Sequence, residues 1–275
     1  FLARFATIEA LAQAELDEVL AVWQGLGYYA RARHLHAAAR IVCQQYGGDI
    51  PSDISLLRAL PGVGEYTAGA LASIAFDQDQ PAIDANVTRV LCRVFDIDQT
   101  TTKAATRKLL RQHVQRLLPT GQAGMFNQAL MELGATLCAP RPRCEECPLE
   151  TLCRAHALGV EEARPIAPPR ALAPARTFAA AWIAQQEGVL VACRKAQGLL
   201  GGLWELPGGL VGPDEDCKTA LKALLQAHLG ADAEIGAELL VVQHAYTHMR
   251  LTAHVYACRL RHAPTLQEGP WDALR

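Results

Sequence analysis

Cys138, Cys144, Cys147 and Cys153 fall within one short stretch with the spacing C-x5-C-x2-C-x5-C. Thiols this close and this regular are poorly explained as core side chains. As thiolates they can close around one metal centre, which forces the chain there into a compact loop. Two centres fit the pattern. An iron–sulfur cluster takes four thiolates. A structural zinc does so too, although zinc modules usually show two C-x-x-C pairs and here Cys144–Cys147 is the one such pair in the stretch. Cys147-Pro148 adds weight to the cluster, since Cys-Pro is common where a ligand loop turns away from one. The plain alternative is a loop with unpaired thiols.

At 275 residues the chain has room for two domains of ordinary size, each able to bury a core. Hydrophobic residues make up 51%, yet no run of eighteen apolar residues occurs, so no membrane-spanning helix is expected. No secretory leader opens the chain, and nine cysteines without an export signal read as reduced or metal-bound, as in a cytoplasmic protein. A net charge of −2 does not advertise nucleic-acid binding, but what matters there is clustering of Lys and Arg on one face. Arg31, Arg33, His34, His36 and Arg40 form one cluster; Lys103, Arg107, Lys108, Arg111 and His113 form another. On helices such runs are more often solvated faces than contacts. Both ends read as cut. Phe1 opens inside an apolar helical pattern with no Met and no N-cap, and Trp271–Arg275 stops where a further strand or helix is due.

Residues 1–157 read as helices joined by short turns. Leu16, Val19, Leu20 and Trp23 recur at helical spacing before Gly25-Leu26-Gly27 breaks the pattern, and Leu35, Ala38, Ala39 and Val42 share one face of a second helix. Further helices are expected at 54–60, 65–76, 85–95, 102–117 and 125–137. Residues 158–176, with Arg164-Pro165-Ile166-Ala167-Pro168-Pro169-Arg170 and Pro174, read as an extended linker. In residues 177–275 the pattern turns to strands at 177–184 and 189–195 about a turn at Glu187-Gly188, a helix at 216–229 and a strand at 250–260. The expected fold is therefore multidomain: an all-α domain with a cysteine loop, then an α/β domain.

Two features of the helical part carry chemistry. Leu60-Pro61-Gly62-Val63-Gly64 joins two helices: Pro61 stops the first, and the glycines permit positive φ and close backbone approach. The amides opening the second helix then face outward as a phosphate site; a plain αα-hairpin turn is the alternative. Twenty residues after Gly64, Asp84 precedes a helical run as a natural N-cap. A carboxylate held there can also steady a developing cation.

The hairpin, Asp84 and the cysteine loop, in this order, resemble the helix-hairpin-helix DNA glycosylases that carry a 4Fe-4S cluster. The stretches Gly25–Arg33 and Phe126–Gly134 narrow the resemblance to adenine DNA glycosylases of the MutY type, and the similarity runs from Phe1 to about Leu260. The resemblance implies that Asp84 is the catalytic aspartate stabilising the oxocarbenium-like sugar, with Asn86 beside it. It implies duplex contacts by Tyr28, which wedges beside the flipped base, by Arg31, and by Leu60, Gly62, Val63 and Gly64 of the hairpin. It makes Cys138, Cys144, Cys147 and Cys153 the cluster ligands, although the family usually has six residues between the first two cysteines where this chain has five. Tyr66 stands where the related endonuclease III type has a nucleophilic lysine that forms a Schiff base, so base removal without an efficient lyase step is expected. The family's catalytic glutamate, which protonates the adenine, lies upstream of the part matching Phe1. The 275 residues alone are expected to bind better than they cut.

Past the linker, Trp204–Gly209 and the helix after it resemble a Nudix fold. Gly209, Glu215, Leu225 and Gly230 keep the signature spacing, while Ala223, Leu224, Ala227 and His228 replace its Arg-Glu and Glu-Glu pairs. Without those carboxylates magnesium has little to bind, so the fold looks kept and the hydrolase lost. In the family this domain recognises 8-oxoguanine. Tyr246, Thr247 and His248 resemble its Phe-Ser-His recognition loop, combining an aromatic wedge with hydrogen-bonding groups; histidines near a hairpin turn are the alternative.

The reading this favours is a monofunctional glycosylase removing adenine paired with 8-oxoguanine or guanine in double-stranded DNA. It would be a monomer, cytoplasmic and nucleoid-associated, with no membrane partner. The alternatives are an endonuclease III-like glycosylase/lyase on oxidised pyrimidines, and a lesion-binding protein or nucleotide hydrolase. Tyr66 and the Nudix-like tail oppose the first of these; Asp84 and the degenerate Nudix box oppose the second.

Overall fold

A computed structural model describes residues 1–168, 173–185, 188–195, 198 and 200–275. Of the sequence expectations, Glu187 of the turn and Pro169 and Arg170 of the linker lie outside the described residues. The chain divides into two compact units, Phe1–Arg170 and Ala171–Arg275.

The first unit is helical: α1 (Ile8–Gln13), α2 (Leu16–Val22), α3 (Ala30–Tyr46), α4 (Ile54–Ala59), α5 (Glu65–Ala75), α6 (Ala85–Val94), α7 (Ala104–Leu117), α8 (Ala123–Thr136) and α9 (Arg154–Ala157). Several begin on a side-chain cap that satisfies the first free amides. Thr7 Oγ1 accepts from Ala10 N, Asp53 accepts from Ser55 N and Leu56 N, and Asp84 accepts from Val87 N. Two apolar clusters hold the helices together. One joins Val42 of α3 to Leu57 of α4 and to Ala68 and Ala72 of α5; the other joins Val87 and Leu91 of α6 to Leu110 and Val114 of α7.

Three details differ from the sequence reading. Residues 1–4 lie outside any helix; Phe1 packs on Phe5 and edge-on to Trp23, and α1 starts after the Thr7 cap. Leu35 is exposed, whereas Ala32, His36, Ala39 and Val42 form the buried stripe of α3. His36 therefore leaves the basic cluster, its ring Nε2 bonded to Ala14 O at 3.0 Å. His113 leaves the other in effect: it stacks on Phe95 at 4.0 Å, and burial, with Arg116 nearby, holds its pKa below the usual imidazole value.

The second unit is α/β: β1 (Ala175–Gln185), β2 (Gly188–Val189), β3 (Ala192–Arg194), β4 (Trp204–Glu205), β5 (Gly208–Val211), α10 (Cys217–Leu229), β6 (Ala233–Ala245), β7 (Arg250–Leu260) and β8 (Trp271–Leu274). One sheet runs β2-β1-β7-β6, with β5 also pairing β1, and a second runs β4-β3-β8. β1 and β7 are parallel, Ala181 beside Tyr256 and Ile183 beside Cys258, and these side chains pack against Leu221 and Leu225 of α10. The strand expected at 189–195 is two pieces, because the chain passes there from the first sheet to the second. Trp271–Leu274 is itself a strand, paired with β3. β6 escaped the sequence reading because register shifts around Glu238 break its alternation.

Candidate functional site

The turn between α4 and α5 is built as its sequence demands. Leu60 caps α4 and is buried, Val63 N bonds Leu60 O at 3.1 Å, and Gly64 is the N-cap of α5 with no side chain over the helix end. Gly62 has φ +77, and a Cβ there would sit 2.6 Å from His34 Cβ, so only glycine lets α3 lie this close. The opening amides of α5 are left facing outward at the positive end of its dipole.

Tyr28 precedes α3 with its side chain 72% exposed and its backbone in the left-handed region, φ 48. A bulky residue there is strained by about 1–3 kcal/mol. Its carbonyl accepts from Arg31 N at 2.8 Å, and Trp23 Nε1 donates to Gly27 O at 3.0 Å, which ties the turn to α2. The Arg31 guanidinium lies over the Trp23 ring, 5.7 Å from its centroid. Arg31, Leu60, Gly62 and Val63 line one groove of about 450 Å³.

Asp84 is the N-cap of α6. Its Oδ1 accepts from Val87 N at 2.7 Å and its Oδ2 from Asn86 Nδ2 at 3.2 Å, so both oxygens are engaged by donors. Asn86 is held in turn: Arg89 Nη2 donates to Asn86 Oδ1 at 2.9 Å and to Gly134 O at 2.6 Å, and Arg89 Nε to Cys138 O at 2.7 Å. Sequence reasoning missed both Arg89 and Asn127. The fully buried Asn127 of α8 donates to Ser73 Oγ and Gln80 O and accepts from Ala82 N. From α5, Gly69 makes room for the same segment; a Cβ there would lie 2.1 Å from Pro81 O. A polar residue inside the apolar pattern of α8 was the available signal for Asn127, because a buried amide must find partners.

Tyr66, on the first turn of α5, lines a cleft of about 460 Å³ together with Ile83 and Ala85, the residues either side of Asp84. Its hydroxyl meets Met131 Sδ at 3.5 Å. Arg107 and Arg111 form another part of the wall, and Arg111 pairs with Glu65.

The four cysteines come from successive turns. Cys138 follows α8 with its amide bonded to Leu133 O at 2.7 Å; Cys144 opens a 3-10 turn that ends at Cys147; Cys153 precedes α9. Arg93 of α6, 2% exposed, binds the loop from beneath. It donates to Cys138 O, Ala139 O, Pro140 O and Glu161 O, and its Nη1 lies 3.4 Å from Cys138 Sγ. Burial, then the charges of Glu161 and the other three thiols, push the Cys144 thiol pKa up; burial is also the main cause of a raised Cys153. A loop that crowds four thiols over a buried guanidinium suits a positive metal core carrying net negative charge once its thiolates are counted. Among the described residues no three of these sulfurs lie within 4.8 Å of one another. Tetrahedral zinc needs sulfurs about 3.8 Å apart, so the arrangement suits a four-iron cube better than one zinc.

In the second unit, Tyr246, Thr247 and His248 lie in the turn between β6 and β7, closed by Tyr246 N on Met249 O at 2.8 Å. Tyr246 meets His244 edge-on at 4.5 Å and stacks with His248 at 5.9 Å. At the degenerate Nudix positions, Leu224 packs against Gly209 and His228 meets Trp271 edge-on at 5.6 Å. Glu205 is held by Arg194 and by Trp271 Nε1, and Glu215 Oε2 accepts from Gly212 N at 3.3 Å.

Residues 1–116 match the HhH-GPD superfamily of base excision DNA repair proteins, and residues 179–274 match the NUDIX domain. The adenine DNA glycosylase of Mus musculus is 37% identical over 314 residues, covering 97% of this chain and 61% of that protein. The adenine DNA glycosylase of Homo sapiens is 37% identical over 308 residues, covering 94% of this chain and 56% of that protein. The chain thus spans less than two thirds of the length of either relative. A solved thermostable thymine-DNA glycosylase is 31% identical with a TM-score of 0.51, covering 57% of this chain and 73% of that one. The chain belongs to the HhH-GPD superfamily of base excision DNA repair proteins and, with a NUDIX domain following, is a homologue of the adenine DNA glycosylases.

Proposed function

We propose that the chain belongs to a monofunctional DNA glycosylase that hydrolyses the N-glycosidic bond of adenine paired with 8-oxoguanine or guanine. The observation that carries the reading is Asp84, whose two carboxylate oxygens are fixed by Val87 N and Asn86 beside a cleft lined by Tyr66. A fixed carboxylate stabilises positive charge as it develops on the deoxyribose, with little reorganisation when the bond breaks. Tyr66 has no amine, so no Schiff base forms and the product is an abasic site. Making adenine a leaving group also requires a general acid that protonates the base.

Duplex DNA is the partner this reading requires. The bare amides of α5 and Arg31 hold phosphates, and exposed Tyr28 wedges into the stack as the adenine flips out. Tyr246, Thr247 and His248 read the opposite base, the ring wedging while the hydroxyl and imidazole bond its edge. The protein acts as a monomer on the nucleoid; no described helix is long and apolar enough to cross a membrane. Cys138, Cys144, Cys147 and Cys153 hold a 4Fe-4S cluster. These four thiolates would hold the loop closed around such a group, and the buried Arg93 guanidinium, 3.4 Å from Cys138 Sγ, would offset its negative charge.

Single-turnover adenine release tests the reading, using the chain extended upstream to the length of its relatives and, in parallel, these 275 residues. Release that is fast opposite 8-oxoguanine, slower opposite guanine and absent opposite thymine is expected from the extended chain. No release on any duplex would reduce the protein to a lesion binder.

A further inference from the structure

Cys144 has a second set of neighbours besides the other three cysteines. Its Sγ lies 3.9 Å from Glu161 Oε1, and His156 Nδ1 lies 3.3 Å from the same oxygen. The ligand atoms of Cys144, His156 and Glu161 all fall within 4.8 Å of one another, the one such group among the described residues, and each residue is partly buried. Three of four successive short turns bring them together: Cys144 opens the first, His156 lies in α9 and Glu161 starts the turn after it.

Size separates this group from the four cysteines. Zinc bonds of about 2.0–2.3 Å set donor atoms roughly 3.3–3.8 Å apart in a tetrahedral site. His156 Nδ1 at 3.3 Å from Glu161 Oε1 meets this and Cys144 Sγ at 3.9 Å needs only a small shift, whereas no three of the cysteine sulfurs come within 4.8 Å of one another. The surroundings point the same way. Glu150 Oε1 lies 3.6 Å from His156 Nε2, on the ring nitrogen away from Glu161, where the orienting carboxylate of a metal-bound histidine sits. Glu161 Oε2 is buried without a hydrogen-bond partner. One thiolate and one carboxylate also neutralise a dication.

We propose that the chain, when it carries no cluster, binds one zinc ion through Cys144 Sγ, His156 Nδ1 and Glu161 Oε1, with water as the fourth ligand. A zinc–sulfur bond replaces the sulfur–hydrogen bond of Cys144, the proton passes to solvent, and nothing is oxidised. His156 binds as the neutral imidazole, its proton on Nε2 toward Glu150. Cys144 cannot serve both cages, so zinc and cluster exclude each other, and zinc loaded first blocks cluster assembly. The inference is independent of base excision and rests on the cluster reading only through the shared Cys144.

The test uses the full chain stripped of iron under reducing, oxygen-free conditions. Zinc is titrated against a chromophoric chelator, and cobalt serves as its spectroscopic stand-in. Expected are one zinc per chain, binding weakened at least about tenfold in His156→Gln and in Glu161→Gln, and cobalt–thiolate absorption of a single sulfur. Both variants should rebuild the visible chromophore from iron and sulfide as the wild type does. Unchanged affinity in both variants, or cobalt absorption of three or four sulfurs, overturns the proposal in favour of an all-cysteine site, and a wild type that binds no zinc overturns it outright. A wild type that binds zinc through His156 yet never assembles a cluster would sink the cluster reading and leave the zinc site standing.

Discussion

Asn127 Oδ1 accepts a hydrogen bond from Ala82 N at 3.2 Å, although 45 residues of sequence separate the two. The same amide donates to Gln80 O at 2.8 Å and Ser73 Oγ at 2.9 Å. The segment that delivers Asp84 to the start of α6 is therefore set by α8 as much as by its own cap.

Asn127→Asp keeps the shape of this side chain and removes its donors. We expect stability to fall by about 1–3 kcal/mol for each buried group left unpaired. Excision by the extended chain should slow by about 10- to 100-fold through misplacement of Asp84, while duplex binding is kept. Thermal unfolding, single-turnover release and equilibrium binding separate these effects. Unchanged excision in a folded N127D protein would show that the clamp does not set Asp84.

Asp84→Asn preserves an N-cap acceptor for Val87 N, so the helix should survive. Excision should drop by a factor of about 100 to 1,000 or more, because the fixed negative charge is gone while the contacts to DNA are not. Near wild-type release in single-turnover assays would place the chemistry elsewhere.

Tyr28→Gly separates strain from contact. Glycine adopts φ 48 without steric cost, and the lost ring is mostly exposed, so the melting temperature should hold or rise slightly. Affinity for a duplex bearing a flipped adenine analogue should fall, since a stacking side chain is worth about 1–3 kcal/mol. A drop in melting temperature with unchanged affinity would make Tyr28 a structural residue instead.

Much of this was readable in the sequence because the signals were local. The helices at Ile54, Glu65 and Ala85 start where Asp53, Gly64 and Asp84 say they should, and the cysteine spacing marked its loop unaided. What was lost depends on contacts between distant segments. Leu35 looked like a core residue by spacing, but α3 turns by one position and buries His36, whose ring nitrogen is answered by a carbonyl 22 residues earlier. Arg89, Arg93 and Asn127 each take their roles from partners 45 residues or more away in sequence, even though Arg89 also reaches nearby Asn86. β6 was obscured by its own bulges.

Two thiols, Cys92 buried and Cys258 partly so, make a pH prediction. Burial raises Cys92, in the first unit, and Cys258, in the second, from near 9 to about 11. The native state thus holds these protons more tightly than the unfolded chain does. That stabilisation is complete below about pH 9 and is lost as pH rises toward about 11. The unfolding midpoint should fall across that window, and Cys92→Ala and Cys258→Ala should each flatten the fall while lowering the midpoint at neutral pH. Identical pH slopes in wild type and variants would contradict the assignment.

The bulged strand β6 has a further consequence, for handling the protein. Ten of its 13 residues pair with β7 along one edge, and Leu239, Leu240, Val241 and Val242 are exposed in a row without a lysine, arginine or proline among them. Natural sheets usually guard such an edge with charge or proline, and an unguarded one recruits strands from other molecules. The C-terminal unit expressed alone should therefore precipitate on concentration, and Leu240→Lys or Val242→Lys should keep it in solution.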